Sequence, residues 1–218
     1  MYNITILSSF HIERGKCNSN ELYRIIEKIQ PEIIFEELPY DVFEIIYAKG
    51  RIPESLEAIT IKKYLEKNQI EHIPVDTYEI NETDIFNEFD VISNKSIEYA
   101  ELMKQQLSMI IRNGYSFLNS NDCDELLYKI HIVEETVLLE INDARLSYHY
   151  KTDRKLHDKR ENEMLQNIHN YSKLYPYNKA LFICGAEHRK SIMQKIQGYE
   201  FKEKLKLNWS LYNASQIS

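Results

Sequence analysis

The chain has 218 residues, five glycines, and a formal net charge of −7 from 27 basic and 34 acidic residues. It contains neither a GxGxxG nor a GxxxxGKS/T loop, which excludes the two commonest classes of nucleotide-binding enzyme. The acidic balance argues against a protein whose main partner is nucleic acid or an anionic membrane surface. A chain of this length fits one compact domain, which needs no disulfides to bury a sufficient core.

The cysteines and the N-terminal segment predict a cytoplasmic protein. Cys17, Cys123 and Cys184 form no CxxC pair and no even framework, as expected of free thiols in a reducing compartment. Residues 1–9 lack the basic stretch, long apolar core and cleavage site of a secretory signal peptide. No apolar run approaches the ~20 residues that span a bilayer.

The first third of the chain alternates short apolar segments with helical stretches. Asn18, followed by Glu21 three positions later, resembles a capping box, and Pro31 stops the helix that begins there. A further stretch, residues 53–68, is mostly helical in pattern. The apolar segments predict three strands, at residues 4–7, 32–35 and 71–75.

From about residue 83 to 175 the pattern is helical, with almost no glycine or proline. Apolar residues recur at helical spacing over 97–111 and over 126–148, which predicts two long amphipathic helices joined near 114–122 as a hairpin. A third helix is expected over about 155–173. We expect the apolar stripes to pack on each other or on the sheet; the alternative is a homo-oligomer formed through this helical insertion.

The last part of the chain completes the predicted sheet. Residues 179–184 form the strongest strand pattern, and Gly185 breaks this pattern before another helix. Residues 201–211 alternate with the two-residue rhythm of one or two strands. The whole order predicts an α/β fold, with a mixed, largely parallel sheet flanked by helices and a long helical insertion between the third and fourth core strands.

Each of the first four predicted strands ends in, or shortly before, side chains that can do chemistry. In a parallel sheet the carboxyl ends of the strands lie along one edge, where ligands bind. Imidazoles and carboxylates gathered there could bind a divalent metal, or activate water directly as a general base. Each residue alone could instead cap a helix or lie at the surface. In chain order these residues are His11, Glu36 and Glu37, Asp76 and His188.

Arg160 adds a cation to this set. It shares a helix face with Met164 and Ile168, so its guanidinium either pairs with buried acids or reaches solvent from the helix edge. Other chemistries lack their motifs, because the chain has no HExxH, CxxC or GxSxG sequence. The remaining histidines have no patterned partners and are interpreted as surface or packing residues: His72, His131, His149, His157 and His169.

These motifs, in their order along the chain, resemble the TraB/PrgY/GumN and TIKI group of the superfamily that also contains erythromycin esterases and ChaN-like haem-binding proteins. The resemblance spans nearly the whole chain, and Ser8 stands where the first GxxH motif has glycine. Glu37 precedes leucine, as in the family's Glu-Leu pair, whereas Glu36 would face the other side of its strand. The matching segments are residues 8–11, 31–38, 73–76, 160–164 and 185–188.

The resemblance implies a single TraB/TIKI-like domain over residues 1–218 that hydrolyses peptide, amide or ester bonds. His11, Glu37 and His188 would be ligands of a divalent metal (Mn²⁺, Co²⁺ or Zn²⁺) or would supply the base, with Glu36 as the alternative to Glu37. Arg160 would hold the acids or an oxyanion, and Asp76 would orient its neighbours. The alternative is a non-catalytic protein that sequesters a peptide or haem. The expected partner is a peptide or small-molecule substrate, with no nucleic acid and no membrane.

Overall fold

The computed structural model describes residues 1–77, 85–200 and 205–214. Within them, five strands form one sheet: β1 (Asn3–Ser9), β2 (Ile33–Pro39), β3 (Glu71–Asp76), β4 (Lys179–Gly185) and β5 (Asn208–Leu211). The helices are α1 (Ser19–Ile29), α2 (Tyr40–Ile46), α3 (Leu56–Leu65), α4 (Ile85–Lys95), α5 (Ile97–Asn113), α6 (Tyr115–Leu118), α7 (Asn121–Ile141), α8 (Ala144–Leu174) and α9 (Arg189–Glu200). A 3-10 turn, Ala186–His188, connects β4 to α9.

The strand order is β3-β2-β4-β1-β5, and all neighbouring pairs are parallel. β4 enters the sheet late in the chain and lies between β1 and β2, so the carboxyl ends of these three strands are adjacent. The predicted α/β fold with helices on a largely parallel sheet is confirmed. The tail, predicted as one or two strands, contributes β5, while residues 201–204 lie outside the described part of the chain.

Alternate side chains of the sheet enter two separate cores. Ile34 and Leu181 pack with α1, α3 and helices α4 to α7 of the insertion, whereas Phe35 and Phe182 pack with α8, the last helix of the insertion, and with α9. All four side chains are fully buried. Because side chains alternate along a strand, Glu37 follows the face of Phe35 towards α8, and Glu36 follows the opposite face.

The helical insertion differs from the predicted hairpin at one point. The apolar stripe over 126–148 belongs to two helices, because α7 ends before Asn142, which has the left-handed φ of 52°. The Asp143 side chain then accepts from the N–H groups of Arg145 and Leu146 and starts α8. The third helix therefore has 31 residues, and begins well before the expected residue 155.

The insertion shares its core with the sheet. Ile110 and Leu118 are fully buried in the same apolar cluster as Leu7 and Ile34. At the turn after α5, Gly114 has φ 54°, and a Cβ there would lie 2.5 Å from the Lys16 carbonyl oxygen. Only glycine permits this approach of the insertion to the loop after β1.

Two smaller features complete the architecture. Sequence analysis does not predict α2, a short helix whose side chains are half-buried or exposed. A search of the described residues finds no helix with the length and apolar character needed to cross a membrane.

The three cysteines carry free thiols, as predicted, and all three are buried. Burial raises the pKa of the Cys184 thiol well above its ordinary value.

If the insertion and the sheet share one core, a cavity in the insertion will destabilise the whole protein. We expect Leu118→Ala to lower the free energy of unfolding by about 2–5 kcal/mol in a single cooperative transition. Leu139→Ala is the matched control, since Leu139 lies in the same insertion with 79% of its surface exposed and its loss should cost less than about 0.5 kcal/mol. Urea unfolding followed by fluorescence and by circular dichroism checks this; two separate transitions for Leu118→Ala would contradict it.

Candidate active site

Arg160 of α8 connects the carboxyl ends of β2 and β3. Its Nη2 donates to Glu37 Oε1 at 2.6 Å and to Asp76 Oδ2 at 2.7 Å, and its Nε donates to Asp76 Oδ2 at 3.1 Å. Both carboxylates are nearly inaccessible to solvent. Met164, on the same helix face, is fully buried. The structure therefore places the inward-facing arginine on a pair of acids, which is the arrangement that a buried guanidinium requires.

His188 lies between two carboxylates in the 3-10 turn after β4. Its Nε2 is 3.2 Å from Glu37 Oε1, its Nδ1 is 2.9 Å from Glu161 Oε1, and its side chain is 3% exposed. Glu161 Oε2 in turn accepts from Ser191 Oγ at 2.5 Å and from Lys195 Nζ at 2.7 Å. Burial opposes charge on the ring, but Glu37 and Glu161 prevail and raise the pKa of His188 to about 9.

Gly185 is the point where the site side chains approach one another. Its N–H donates to Glu37 Oε2 at 2.7 Å. A Cβ on Gly185 would lie 3.0 Å from His11 Nε2, so a larger residue would displace the His11 ring, whereas the 3.7 Å to His188 Cδ2 is an ordinary contact. Gly185 thus provides room for His11 beside Glu37.

His11 reaches this point from the loop after β1 and is held by the start of α3. Its N–H donates to Glu57 Oε1 at 3.1 Å, its Nδ1 lies 3.4 Å from the same oxygen, and Leu56 N–H donates to its carbonyl. His11 has the left-handed φ of 61°, which is uncommon for a side-chain-bearing residue and typical of functional sites. Its side chain is 52% exposed.

The charge state of His11 follows from Glu57. Partial burial opposes a positive ring, but the contact with Glu57 and the nearby charge of Glu37 raise the pKa of His11 to about 9. Burial likewise opposes a charged Glu37, yet the neighbouring His188, His11 and Arg160 hold the pKa of that carboxyl well below its usual range. At neutral pH the site therefore contains charged histidines around a charged glutamate.

Glu36 belongs to a different cluster on the opposite face of the sheet. Its Oε2 is 2.8 Å from His72 Nε2 and accepts from the Tyr47 hydroxyl at 2.9 Å. The rings of Phe43 and Tyr47 pack against His72 with centroids 4.8 and 4.6 Å away. Of the two adjacent glutamates, Glu37 therefore faces Arg160 and His188, and Glu36 stabilises the packing of α2 on β2 and β3.

Sequence pattern misses three residues of the site: Glu57, His157 and Glu161, the last of which contacts His188 Nδ1. Glu57 is an acid in the first turn of a helix, a position usually explained by the helix dipole. His157 was interpreted as a surface or packing residue, yet its ring stacks on His188 with centroids 5.0 Å apart and planes 22° apart. Its spacing of three residues before Arg160 on α8 is the signal that could have found it.

The charge state of His157 differs from that of the other two site histidines, His11 and His188. Its side chain is 25% exposed, and its Nε2 lies 3.8 Å from Asp153 Oδ2, beyond hydrogen-bond distance. Burial and the positive charge of His188 lower the pKa of His157. The ring is therefore neutral at neutral pH, next to a charged one.

Ser8, at the position where the resembled motif would have glycine, does not strain the backbone. Ser8 lies in β1 opposite Cys184, and the positive φ of this region falls at His11 instead. Its N–H donates to Asn119 Oδ1 at 2.7 Å, and its carbonyl accepts from Asn119 Nδ2 at 3.1 Å. The substitution therefore leaves the path of the chain to His11 intact.

The side chains as placed do not fit the expected metal centre. Among the described residues, no three His, Cys, Asp or Glu side chains are arranged to hold a metal ion. Both oxygens of Glu37 and both ring nitrogens of His188 already contact other protein groups. A metal bound by His11, Glu37 and His188 would first have to separate Glu37 from Arg160 and His188.

Comparison of the chain with family models, with curated proteins and with solved structures finds no match. The class of protein is therefore defined by the fold and the site alone: an α/β protein with a network of buried ion pairs at the carboxyl edge of a parallel sheet. Membership of the TraB and TIKI group stays a prediction.

Removing Arg160 tests the importance of this network for stability. We expect Arg160→Ala to cost about 3–5 kcal/mol of unfolding free energy, because Glu37 and Asp76 would remain buried without their cation. Arg24→Ala is the control, since Arg24 forms an exposed ion pair with Glu21 and its loss should cost about 1 kcal/mol or less. Equal effects of the two substitutions in urea unfolding would contradict the assignment.

The raised pKa of His188 predicts a pH dependence of stability. Its contribution is fully present below the ordinary histidine pKa of 6.5 and is lost as the pH rises through about 9. The difference in unfolding free energy between wild type and His188→Gln should therefore be largest near pH 6 and shrink towards pH 10. Urea unfolding across this range measures it, and NMR titration of the ring gives the pKa directly. A ring that titrates near 6.5 would overturn the prediction.

Proposed function

We propose that the protein hydrolyses ester, amide or peptide bonds, with His11 as a proton-transfer residue. The observation that carries this proposal is the placement of the His11 ring. Its Nδ1 faces the buried Glu57, while its Nε2 lies beside Gly185 and Glu37 in a half-exposed position. A histidine that contacts a carboxylate through one nitrogen, and whose other nitrogen is accessible to a substrate, is a common arrangement for general acid–base catalysis.

In the proposed reaction the oxygen of water bonds to the carbonyl carbon, and the bond from that carbon to the leaving oxygen or nitrogen breaks. The charged His11 ring donates the proton that the leaving atom needs, and Glu57 keeps the ring charged and oriented until that step. General acid catalysis of this kind typically contributes about 10²–10⁴-fold to the rate.

Arg160 and His188 would supply positive charge beside the reacting carbonyl. Their own charges are fixed by Glu37, Asp76 and Glu161, so they do not have to reorganise when negative charge develops on the carbonyl oxygen. The ordered resemblance to the TraB and TIKI group supports the same reaction class, and so does the position of the site at the carboxyl ends of parallel strands.

Binding of a divalent metal at the site is a separate part of the proposal. Mn²⁺, Co²⁺ or Zn²⁺ at His11, Glu37 and His188 would lower the pKa of a bound water, but only after Glu37 leaves its present partners. Calorimetric titration of chelator-treated wild type with each metal tests this. Binding that is lost in His188→Gln would support the metal site, whereas equal weak binding by both proteins would contradict it.

A non-catalytic binder is the second candidate function. The observation in its favour is that Glu37 and His188 already have protein partners on every polar side-chain atom, so neither is available to react in the present arrangement. Haem or a peptide would then bind at this site without being converted. Titration of wild type with haem, followed by the shift of its absorption band, tests the haem form; saturable binding without any turnover would favour this candidate over hydrolysis.

The hydrolase proposal is tested with fluorogenic substrates of three classes: a methylumbelliferyl butyrate ester, an amino-acid coumarin amide and an internally quenched peptide. We expect wild type to turn over at least one class and His11→Asn to lower kcat by about 10²–10⁴-fold. Asparagine suits the test because it tolerates the positive φ of this position.

Ile12→Ala is the matched control for the loop. Ile12 is adjacent to His11 and 54% exposed, so its substitution should leave both kcat and the melting temperature close to wild type. No turnover of any substrate by wild type, or full activity of His11→Asn, would overturn the proposed function.

A further inference from the structure

A second partly exposed imidazole, that of His157, lies over the site. It extends from α8 one turn before Arg160, and its ring stacks on His188 with centroids 5.0 Å apart. One quarter of its side chain is accessible to solvent. Solvent, and therefore a small molecule beside His188, can reach the exposed part of the His157 ring.

His188, by contrast, is not accessible for chemistry as placed. Its side chain is 3% exposed, and carboxylates of Glu37 and Glu161 face its two ring nitrogens. A substrate proton could reach these nitrogens only if one of the two contacts opened. The His188 ring is thus better suited to support the neighbouring His157 ring than to exchange protons itself.

The charged and titratable side chains around His157 come from two elements, its own helix and the 3-10 turn after β4. Asp153 and Arg160 lie on its own helix, and His188 and Glu187 lie in the 3-10 turn opposite. Of these, His188 makes the ring contact, and Asp153 Oδ2 is 3.8 Å from Nε2. The ring is held by stacking and has no hydrogen bond to a carboxylate among the described residues, unlike His11 and His188.

We infer that His157 is a catalytic residue of the proposed hydrolase and accepts the proton of the attacking water. The inference rests on the proposed function and completes its proton balance. The water oxygen bonds to the carbonyl carbon while one water proton passes to a His157 nitrogen. The bond to the leaving atom breaks, and that atom takes a proton from His11. His157 then releases its proton to solvent, and His11 takes one from solvent, which restores both rings.

Proton transfer by His157 can be distinguished from a role in which its ring only supports the His188 ring. A supporting role needs only an aromatic surface, which phenylalanine would supply at similar volume. Proton transfer needs a ring nitrogen. Substitution by phenylalanine therefore keeps the stacking and removes the chemistry, whereas substitution by alanine removes both and leaves a space that exogenous imidazole can enter.

The test uses the fluorogenic substrate that wild type hydrolyses best, with rates corrected for the imidazole-catalysed reaction without protein. We expect His157→Phe and His157→Ala each to lower kcat about 10²-fold or more with little change in KM or melting temperature. Added imidazole should restore part of the activity of His157→Ala and none of that of His157→Phe. His149→Ala, about two turns earlier on the same helix, is the control and should keep wild-type kcat.

The outcomes distinguish this inference from the proposed function. Wild-type kcat in His157→Phe would overturn the catalytic role while leaving the hydrolase intact. Loss of activity in His157→Ala with recovery in His157→Phe would assign a supporting role instead. Absence of turnover in wild type would overturn both, and a loss confined to His11→Asn would overturn the inference alone.

Discussion

The guanidinium of Arg160 is the group on which the geometry of the site depends. It is bonded to Glu37 at the end of β2 and to Asp76 at the end of β3, and so fixes helix α8 against two strands at once. Burying two carboxylates would be costly without a cation that satisfies both. Because Glu37 is held in its charged form, it in turn holds His188 charged.

The helical insertion positions the other side of the site. Asn119, between α6 and α7, bonds to both backbone groups of Ser8 just before the His11 loop. Arg189, adjacent to His188, bonds to Asp124 and to the Ser120 carbonyl at the start of α7. The junction between α6 and α7 therefore contacts both chain segments that carry the site histidines His11 and His188.

The sequence predicts those parts of the site that follow from strand order. Apolar segments ending in acids or histidines indicate a parallel sheet whose edge gathers them. The apolar stripe of α8 leaves two alternatives for Arg160, buried acids or solvent, and the structure shows the first. The sequence does not predict Glu57, whose place in a first helical turn has an ordinary explanation, or His157, whose partner is distant in sequence. The break at Asn142 was also missed, because an apolar stripe can continue across two helices while a capping pair separates them.

The distribution of exposure within the site argues for a division of roles. Glu37, Asp76 and His188 are nearly inaccessible and fully partnered, so their charges are fixed before any ligand arrives. His11 and His157 border this network and are the partly exposed imidazoles of the site. Preorganised buried charge lowers the cost of developing charge, whereas proton exchange requires contact with water or substrate. In the proposed hydrolase the two tasks would therefore fall to different residues, and His188 would belong to the fixed, buried charges.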